Sequence, residues 1–459
     1  MKHDQLILEL QSIVGPEHVS TTDLDRTTYG QDALKEVALP EVVVWPRTAD
    51  EIAAIMRLAN RERVPVTPRA GGVGYTGGAV PLKGGILLSV TRMNEILEID
   101  EPNLVAVAEP GVVTAVFQRA VEAKGLFFPP DPSSLEDSML GGNIAENAGG
   151  PRCVEYGVTG AYVLGMTFVT ATGEIVKAGG RTTKNVVGFD LTSLMVGSEG
   201  MLGIATDITF RLIPLPEANR TVSVIFSNTR IAAQCVTAIM ANRIIPAKLE
   251  LLDGFSLRAV ADYTGESLPK DAGALLLIEV DGSAREVERE AREVERICRE
   301  IGAVEIVVAE TAEESERLWA VRRKMSPAVG RLRPRKLNQD VVVPRTRIPD
   351  LLDIVDEISA RLNLLIPCFG HAGDGNMHVN VMIDPEDADE ARRGKQAVEE
   401  IFRASVALGG TISGEHGIGY VKAPYLGLAL TPDTIDCMRR LKRMFDPNGI
   451  LNPGKVFFD

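Results

Sequence analysis

Between residues 220 and 309, strand and helix patterns follow one another in an order that is typical of one fold motif. The predicted elements are strand 220–226, helix 229–243, strand 247–252, a short helix near 254–262, strand 273–281, helix 284–301 and strand 303–309. This order approximates β-α-β-β-α-β, the ferredoxin-like split motif. A change of composition at Pro214-Leu-Pro216 places a domain boundary just before it.

Further strand and helix patterns continue the same sheet: strand 341–343, helix 349–361, a hairpin around 372–376 and helix 386–408. The hairpin is predicted because the turn residues Ala372-Gly-Asp-Gly-Asn separate an apolar run from an alternating one. It places His371 and His378 side by side, and Asn380 shares the face of His378 because side chains alternate along a strand.

Three of the five histidines lie between Phe369 and Gly419, together with Glu415. Two imidazoles and a carboxylate, here His371, His378 and Glu415, form a candidate set of three metal ligands that leaves positions open for a substrate. His416 is left as a candidate base. The alternative for each histidine is an ordinary core residue with satisfied hydrogen bonds.

Three loops rich in glycine and other turn residues precede the predicted sheet domain. The first, 68–78, contains the Gly-x-Gly-x-x-Gly spacing, but a strand at 86–90 follows it instead of the helix that a nucleotide-binding βαβ unit needs. Its backbone N–H groups could still form a nest for a pyrophosphate. The others are 130–150 and the start of 196–214, and a hairpin around 172–173 lies between them. Three separated loops of this kind predict one extended ligand, such as a dinucleotide cofactor.

A basic stretch interrupts this acidic chain at 318–336. Its cations are Arg322, Arg323, Lys324, Arg331, Arg333, Arg335 and Lys336. One interpretation is a basic surface. The other is that at least one arginine points inward and binds a substrate carboxylate through its two-pronged guanidinium group.

Composition excludes several classes of function. The 459 residues carry a formal charge of −14, which disfavours nucleic acid as a partner. The five cysteines have no Cys-x-x-Cys spacing, so neither a disulfide framework nor an intrinsic iron–sulfur cluster is expected. The N-terminal segment is predicted to be an amphipathic helix, and the longest uncharged run, 156–173, suits strands better than a membrane span. A cytoplasmic protein is predicted.

Together these motifs resemble those of FAD-binding oxidoreductases of the vanillyl-alcohol-oxidase type. The branch concerned contains the glycolate oxidase FAD subunit, D-lactate dehydrogenase and D-2-hydroxyglutarate dehydrogenase. The resemblance rests on PRAGGVGYTGG, PPDPSS, GGNIAENAGG, SEGMLGI, GHAGDGNMHVN, SGEHGIG and DPNGILNPGK. It implies an α+β fold with a PCMH-type FAD-binding domain at 1–215, a ferredoxin-like substrate or cap domain with an antiparallel sheet at 216–419, and a segment at 420–459 that returns to the FAD domain.

The resemblance also implies roles for individual residues. The metal ligands would be His371, His378 and Glu415, the base His416, and the substrate-binding residues Arg322, Ser326, Asn380 and Asn338. Asn338 stands where some relatives have lysine, so recognition of the far end of the substrate stays open. The implied FAD contacts are Pro68, Arg69, Ala70, Gly71, Gly72, Val73, Gly74, Tyr75, Thr76, Gly77, Gly78, Pro132, Ser133, Ser134, Gly141, Gly142, Asn143, Ala145, Asn147, Gly149, Gly157, Glu199, Gly200, Gly203, Ile204 and Asn452.

The implied activity is oxidation of a small 2-hydroxy acid, most simply glycolate or D-lactate, to the 2-oxo acid. Hydride would pass to noncovalent FAD, assisted by a divalent metal such as Zn or Mn, with Fe as a further option. Electrons would leave to a separate acceptor, an iron–sulfur subunit or an electron-transfer flavoprotein, and a homodimer is allowed. The alternatives are a non-catalytic flavin-binding subunit, a metal-dependent hydrolase and a non-redox relative such as an alkyl-glycerone-phosphate synthase.

Overall fold

The computed structural model describes residues 3–265 and 267–457. Two compact units share the chain. One contains the residues up to 149, 158–215 and those from 415 onward, and the other contains 150–157 and 216–414. The predicted boundary at 215/216 coincides with the junction between the units. Compactness assigns 150–157 and 415–419 differently from the predicted domain limits.

The first unit begins with a four-stranded sheet that includes a βαβ crossover. Its strands are β1 (Val19–Ser20), β2 (Val42–Val44), β3 (Val66–Arg69) and β4 (Ile86–Ser89), in the order β1-β2-β4-β3. Strands β2 and β3 pair in parallel with β4. Helix α3 (Ala49–Glu62) joins β2 to β3, and Thr48 caps it by accepting a bond from the Glu51 N–H.

A five-stranded antiparallel sheet forms the rest of the first unit's framework, in the order β5-β6-β10-β8-β9. Its strands, with the small pair β7 and β11, are β5 (Ile96–Asp100), β6 (Val105–Ala108), β7 (Leu126–Phe127), β8 (Val163–Val169), β9 (Ile175–Gly179), β10 (Ile204–Arg211) and β11 (Ile213–Pro214). The hairpin β8–β9 confirms the one predicted around Thr172-Gly173.

The other helices of the first unit are α1 (His3–Val14), α2 (Asp23–Tyr29), α4 (Thr114–Glu122), α5 (Leu140–Glu146), α7 (Leu191–Met195), α15 (Leu426–Ala429) and α16 (Pro432–Phe445), with 3-10 turns at Pro16–His18, Thr159–Tyr162 and Ala423–Tyr425. Helix α1 is amphipathic, as predicted. It buries Leu6, Leu10 and Val14 in the core that also contains β2 and α3.

The second unit is built on one seven-stranded antiparallel sheet. Its strands are β12 (Ala218–Phe226), β13 (Lys248–Asp253), β14 (Ala274–Gly282), β15 (Glu305–Val308), β16 (Arg335–Val342), β17 (Cys368–His371) and β18 (Asn376–Ile383). The order is β15-β12-β14-β13-β17-β18-β16. The first four strands have the ferredoxin-like order and all pair antiparallel, so the predicted split motif is confirmed. The later strands extend the same sheet, also as predicted.

Helices cover both faces of this sheet. They are α6 (Cys153–Tyr156), α8 (Thr229–Ala241), α9 (Gly254–Thr264), α10 (Ala284–Ile301), α11 (Ala312–Arg323), α12 (Met325–Val329), α13 (Ile348–Leu362) and α14 (Ala388–Ala407), with a 3-10 turn at Arg345–Arg347. Helices α9, α11 and α12 pack on the face that carries Leu252, Phe369 and Met382. We call it the polar face, because charged and amide side chains share it with these apolar residues.

One predicted element is wrong in extent. Strand β16 was predicted to cover only 341–343, but it begins at Arg335. Five of the six residues of Arg335–Asp340 are charged or amides, so a hydrophobicity pattern does not detect this part of the strand, yet every residue of β16 pairs with β18. Within residues 3–265 and 267–457, no helix combines the length and hydrophobicity that crossing a membrane requires.

Candidate active site

The predicted histidine hairpin is present as strands β17 and β18. Phe369 lies opposite His378 and His371 opposite Asn376, so both histidines project from the polar face. Their ring centroids are 5.2 Å apart, and both side chains are buried. Two buried imidazoles at this separation can bind one cation between their nitrogens.

Glu250 of β13 connects His371 to Arg322. It lies opposite His371 in the sheet and is fully buried. One carboxylate oxygen lies 2.5 Å from His371 Nδ1, and the other accepts a bond from Arg322 Nε at 2.5 Å. Burial by itself would raise the pKa of Glu250, but the His371 and Arg322 charges outweigh it and lower that pKa well below its usual range. Glu250 is therefore ionised, and because it contacts Nδ1, His371 would bind a metal through Nε2.

Arg322 is the one buried arginine of the basic stretch 318–336. The other four arginines and Lys324 are exposed, and Lys336 is half-buried. The Arg322 guanidinium lies over the Phe369 ring, 5.0 Å from its centroid. Its Nη2 is buried and finds no hydrogen-bond partner among residues 3–265 and 267–457. A buried guanidinium nitrogen of this kind suits an anionic ligand such as a carboxylate.

Two amide side chains line the polar face opposite each other. Asn338 of β16 pairs with Asn380 of β18. The Asn380 amide nitrogen donates to the backbone oxygens of Pro367 and His378, which fixes its orientation. The side-chain oxygens of both asparagines are buried and accept no bond from any described residue. They can accept bonds from the hydroxyl or ammonium groups of a ligand.

Ser326 lies on α12, four residues after Arg322, and meets the polar face through Lys336. The Lys336 ammonium group donates to Ser326 Oγ at 2.7 Å. Lys336 lies two residues before Asn338 in β16, so both side chains project from the same face of the sheet. Burial lowers the pKa of Lys336.

Asp340 was not predicted as a site residue, although it sits opposite His378 in the sheet. It is fully buried and accepts bonds from the Asn376 amide at 2.7 Å, and from Ser413 Oγ and Gly414 N at 3.0 Å. Asp340 thus ties β16, β18 and the segment before Glu415 together. The signal that could have identified Asp340 is a charged residue next to an apolar run, in Gln-Asp-Val-Val-Val. Glu250, in Leu-Glu-Leu-Leu, carries the same signal and was also not predicted.

The predicted FAD contacts all lie in the first unit except Gly157, which falls in the short segment 150–157 of the other. Loop 68–78 follows β3, where Gly77 has a φ of +78° that favours glycine, and its N–H donates to Asp32 at 2.8 Å. Asn452 joins two loops by donating to the Gly78 and Glu199 carbonyls at 3.0 and 2.8 Å. The Asn452 side-chain oxygen is buried and has no partner within the described chain. These loops fit an extended cofactor because they offer buried polar groups and backbone N–H groups.

Some predicted cofactor residues also serve the fold. The Asn143 amide donates to Thr114 Oγ1 at 2.7 Å, and Asn147 accepts from the Gly160 N–H at 2.8 Å. These bonds hold α5 against its neighbours. Both side chains therefore support the fold, and the assignment of these two residues as FAD contacts remains a prediction.

Glu415 and His416 belong to the first unit, whereas the histidine hairpin, Arg322, Ser326, Asn338 and Asn380 belong to the second. The His416 ring lies 5.3 Å from the Tyr75 ring, and its carbonyl accepts a bond from Thr76 Oγ1 at 3.1 Å. His416 is therefore held against the first glycine-rich loop. The assignments of Glu415 as third ligand and of His416 as base remain predictions.

Comparison with known protein families identifies the class. Residues 40–179 match a family model described as an FAD binding domain, and residues 215–456 match one described as FAD linked oxidases, C-terminal domain. The fold and these matches define an FAD-dependent oxidoreductase. The chain belongs to the family of FAD-linked oxidases.

Curated relatives agree over almost the whole chain. The glycolate oxidase subunit GlcD of Bacillus subtilis is 46% identical over 98% of this chain and 96% of its own length. The D-lactate dehydrogenase of Anaerostipes hadrus is 36% identical over 94% of this chain and 92% of its own length. The D-2-hydroxyglutarate dehydrogenase of Stutzerimonas stutzeri is 34% identical over the full length of both chains.

Solved structures confirm the predicted PCMH-type α+β fold. p-Cresol methylhydroxylase with substrate bound superposes with a TM-score of 0.81, covering 99% of this chain and 97% of the other at 18% identity. An alkyldihydroxyacetonephosphate synthase superposes with a TM-score of 0.77 at 20% identity, covering 99% of this chain and 86% of the other. At this identity the likeness concerns the fold alone. The FAD-binding match leaves the metal-dependent hydrolase without support.

Proposed function

We propose that this protein oxidises a small 2-hydroxy acid to the 2-oxo acid with FAD as hydride acceptor, and that glycolate or D-lactate is its substrate. The observation that carries the proposal is the polar face of the second unit. There Arg322, with a buried guanidinium nitrogen that no described residue binds, is linked through Glu250 to the buried pair His371 and His378. A cation next to a metal-binding pair suits a carboxylate and its neighbouring hydroxyl group. The names of three relatives, which specify 2-hydroxy acids, support the same class of substrate.

The arginine and the two asparagines orient the acid. Arg322 binds the carboxylate through Nη2, because its Nε already donates to Glu250. The side-chain oxygens of Asn338 and Asn380, which accept no bond within the described residues, are acceptors for a substrate hydroxyl. Ser326 adds a hydroxyl next to Lys336. Orientation of this kind is a large part of what an enzyme supplies to such a reaction.

His371 and His378, with Glu415 as third ligand, would hold a divalent metal, Zn or Mn in the simplest case. The Glu250 carboxylate fits this role because it fixes the orientation of the His371 ring. Such a metal, if bound there, would lower the pKa of a substrate hydroxyl group. His416 accepts the hydroxyl proton as general base. FAD, when bound, supplies the acceptor for the hydride from Cα.

The electrons then pass to a separate acceptor, which we propose to be an iron–sulfur or electron-transfer flavoprotein partner. Cys235 and Cys298 are buried with their sulfur atoms 3.5 Å apart, and the other three cysteines lie elsewhere in the chain. This distribution does not match the ligand spacing of an iron–sulfur cluster. A partner therefore has to carry any such cluster.

The proposal is tested by recording the visible spectrum of the purified, metal-replete protein under anaerobic conditions. Glycolate, D-lactate, L-lactate and D-2-hydroxyglutarate are then added separately. Bleaching of the flavin band by one acid, with formation of the 2-oxo acid, is the expected result. A flavin spectrum that no 2-hydroxy acid bleaches would overturn the proposal and favour a non-catalytic flavin-binding subunit.

A further inference from the structure

Glu146 ends helix α5, inside the second glycine-rich loop, and is not among the residues predicted to contact FAD. Its Oε2 is buried and has no hydrogen-bond partner among residues 3–265 and 267–457. A buried carboxyl oxygen without a partner is costly, so a native protein keeps one where a ligand or water will occupy it.

The other glycine-rich loops meet at this carboxyl group. A Cβ atom on Gly78 of the first loop would lie 3.0 Å from Glu146 Oε1. A Cβ atom on Gly417 would lie only 2.0 Å from Oε2 and 3.1 Å from the Glu199 carboxyl carbon. The Gly417 φ of +80° also favours glycine. The backbone of the first loop, at Gly78, and that of the segment around Gly417 thus approach Glu146 closely. The Glu199 carboxyl group of the third loop lies beside it.

The neighbouring carboxylates have partners, whereas Glu146 Oε2 accepts no bond from any residue that the structure describes. Glu199 accepts the N–H groups of Ile418 and Gly419 at 2.8 and 2.7 Å. Asp32 accepts those of Leu34 and Gly77 at 3.0 and 2.8 Å.

Protonation of Glu146 removes the electrostatic repulsion between its carboxyl group and those of Glu199 and Asp32. Burial and the Glu199 and Asp32 charges raise the pKa of Glu146 well above its usual range, and Lys422 opposes them. Lys455 and Arg69 act on Asp32, and Lys422 and Lys455 on Glu199, so these cations are shared with the other two acids. A neutral carboxylic acid is a hydrogen-bond donor, unlike a carboxylate.

We propose that Glu146 is a cofactor-binding residue that, as a neutral acid, donates a hydrogen bond to an acceptor atom of bound FAD. The proposal rests on the FAD-dependent function and adds to it a residue that sets the affinity or the electronic properties of the cofactor. The acceptor can be a carbonyl or nitrogen atom of the flavin ring, or an oxygen of the ribityl or pyrophosphate part.

The test compares Glu146→Gln with Glu146→Leu in titrations of the apoprotein with FAD, without substrate. The glutamine amide keeps a donor at this position, so its Kd should stay within about threefold of the wild type. Leucine removes the donor and should weaken FAD binding by roughly 5- to 100-fold, since one hydrogen bond contributes about 1–3 kcal/mol when its partner is left buried. Glu101→Leu, at an exposed position of the same unit, is the control.

The visible spectrum of the bound flavin separates the two sources of the acceptor. A shifted flavin band in the leucine variant assigns the acceptor to the ring, and weaker binding with an unchanged band assigns it to the ribityl or pyrophosphate part. A leucine variant that binds FAD with wild-type affinity and spectrum would overturn the proposal.

Infrared spectroscopy covers the case in which the leucine variant does not fold. The carbonyl stretch of a protonated glutamic acid should be present at pH 7–8, be absent from Glu146→Gln and shift when FAD binds. Its absence from the wild type, or a stretch that FAD does not shift, would overturn the proposal. Because no substrate is used, a failure here is distinct from a failure of flavin bleaching by 2-hydroxy acids.

Discussion

Glu250 is the residue on which the candidate site depends most strongly within the second unit. Its two oxygens bind Arg322 and His371, and all three side chains are buried. When two buried partners share one carboxylate, its removal leaves both without the negative charge that offsets the cost of burying them. Glu250 would therefore support both the proposed carboxylate site at Arg322 and the proposed metal site without needing to touch the substrate.

Replacing Glu250 with glutamine should lower the free energy of unfolding of the protein by about 3–5 kcal/mol, because it leaves the Arg322 charge buried and uncompensated. Urea denaturation measures the change. Glu399→Gln, which breaks the exposed pair with Arg403 on α14, is the matched control and should have little effect. Equal effects for the two variants would contradict the role assigned to Glu250.

His416→Ala tests the proposed base. The variant should bind FAD normally and slow anaerobic flavin reduction by about two to four orders of magnitude, the contribution of a general base. Stopped-flow spectroscopy with the bleaching acid measures the rate. His18→Ala, at a half-buried histidine of the 3-10 turn Pro16–His18, is the control. An unaltered reduction rate in His416→Ala would remove this residue from the mechanism.

At the scale of elements, Asp253 joins three parts of the second unit. It ends β13 and caps α9 by accepting the Ser256 N–H at 2.7 Å, and its other oxygen accepts the Cys368 N–H at the start of β17. Burial raises the pKa of Asp253 to about 6, although these hydrogen bonds oppose the shift. The strand that carries His371 is thus anchored by an acid that titrates near pH 6.

The pH dependence of stability follows from this shift. Folded Asp253 keeps its proton up to about pH 6, whereas an unfolded aspartate releases it near pH ~4. The folded state therefore binds more protons between these values, and the free energy of unfolding should fall as the pH rises from about 4 to 6. Asp253→Asn should reduce this slope, as measured by urea denaturation at several pH values.

The control for the slope is Asp190→Asn. Asp190 caps α7 and has a lowered pKa because of its bonds to Ser193, so its contribution has the opposite sign. Removing Asp190 should not reduce the fall in stability between pH 4 and 6. A slope that Asp253→Asn leaves unchanged would contradict the assignment.

Elements also show where pattern reading succeeds. The amphipathic helix α10 was predicted at 284–301 and found at Ala284–Ile301, because its apolar stripe repeats at the helical period. Strand β16 was missed over most of its length because Asn338 and Asp340 face the polar side of the sheet. A polar strand has no hydrophobic period to detect.

At the scale of the whole molecule, the residues assigned to FAD and most of those assigned to the metal belong to different compact units. The predicted FAD contacts lie in the first unit, except Gly157, whereas two of the three proposed metal ligands, His371 and His378, lie in the second and only Glu415 lies in the first. Loss of the metal should therefore leave FAD bound.

Treatment with a strong chelator such as dipicolinate should abolish bleaching of the flavin by the substrate and leave the visible spectrum of bound FAD unchanged. Addition of Zn or Mn should restore bleaching. His371→Ala should behave like the chelated protein without treatment, since it removes a ligand. Bleaching that survives complete metal removal, verified by elemental analysis, would contradict the metal's role, and simultaneous release of FAD would contradict the separation.

The sequence by itself determined the order of strands and helices in the second unit, the histidine hairpin and the position of the glycine-rich loops. These features depend on local periodicity and on turn residues, which can be recognised within short segments of the sequence. Only the tertiary structure decided that Glu250 binds Arg322 and His371, which are 72 and 121 residues away, and that the Glu146 and Glu199 carboxyl groups lie near each other. Pairings of this kind arise when sheets and loops bring distant segments into contact, and a one-dimensional pattern carries no record of them.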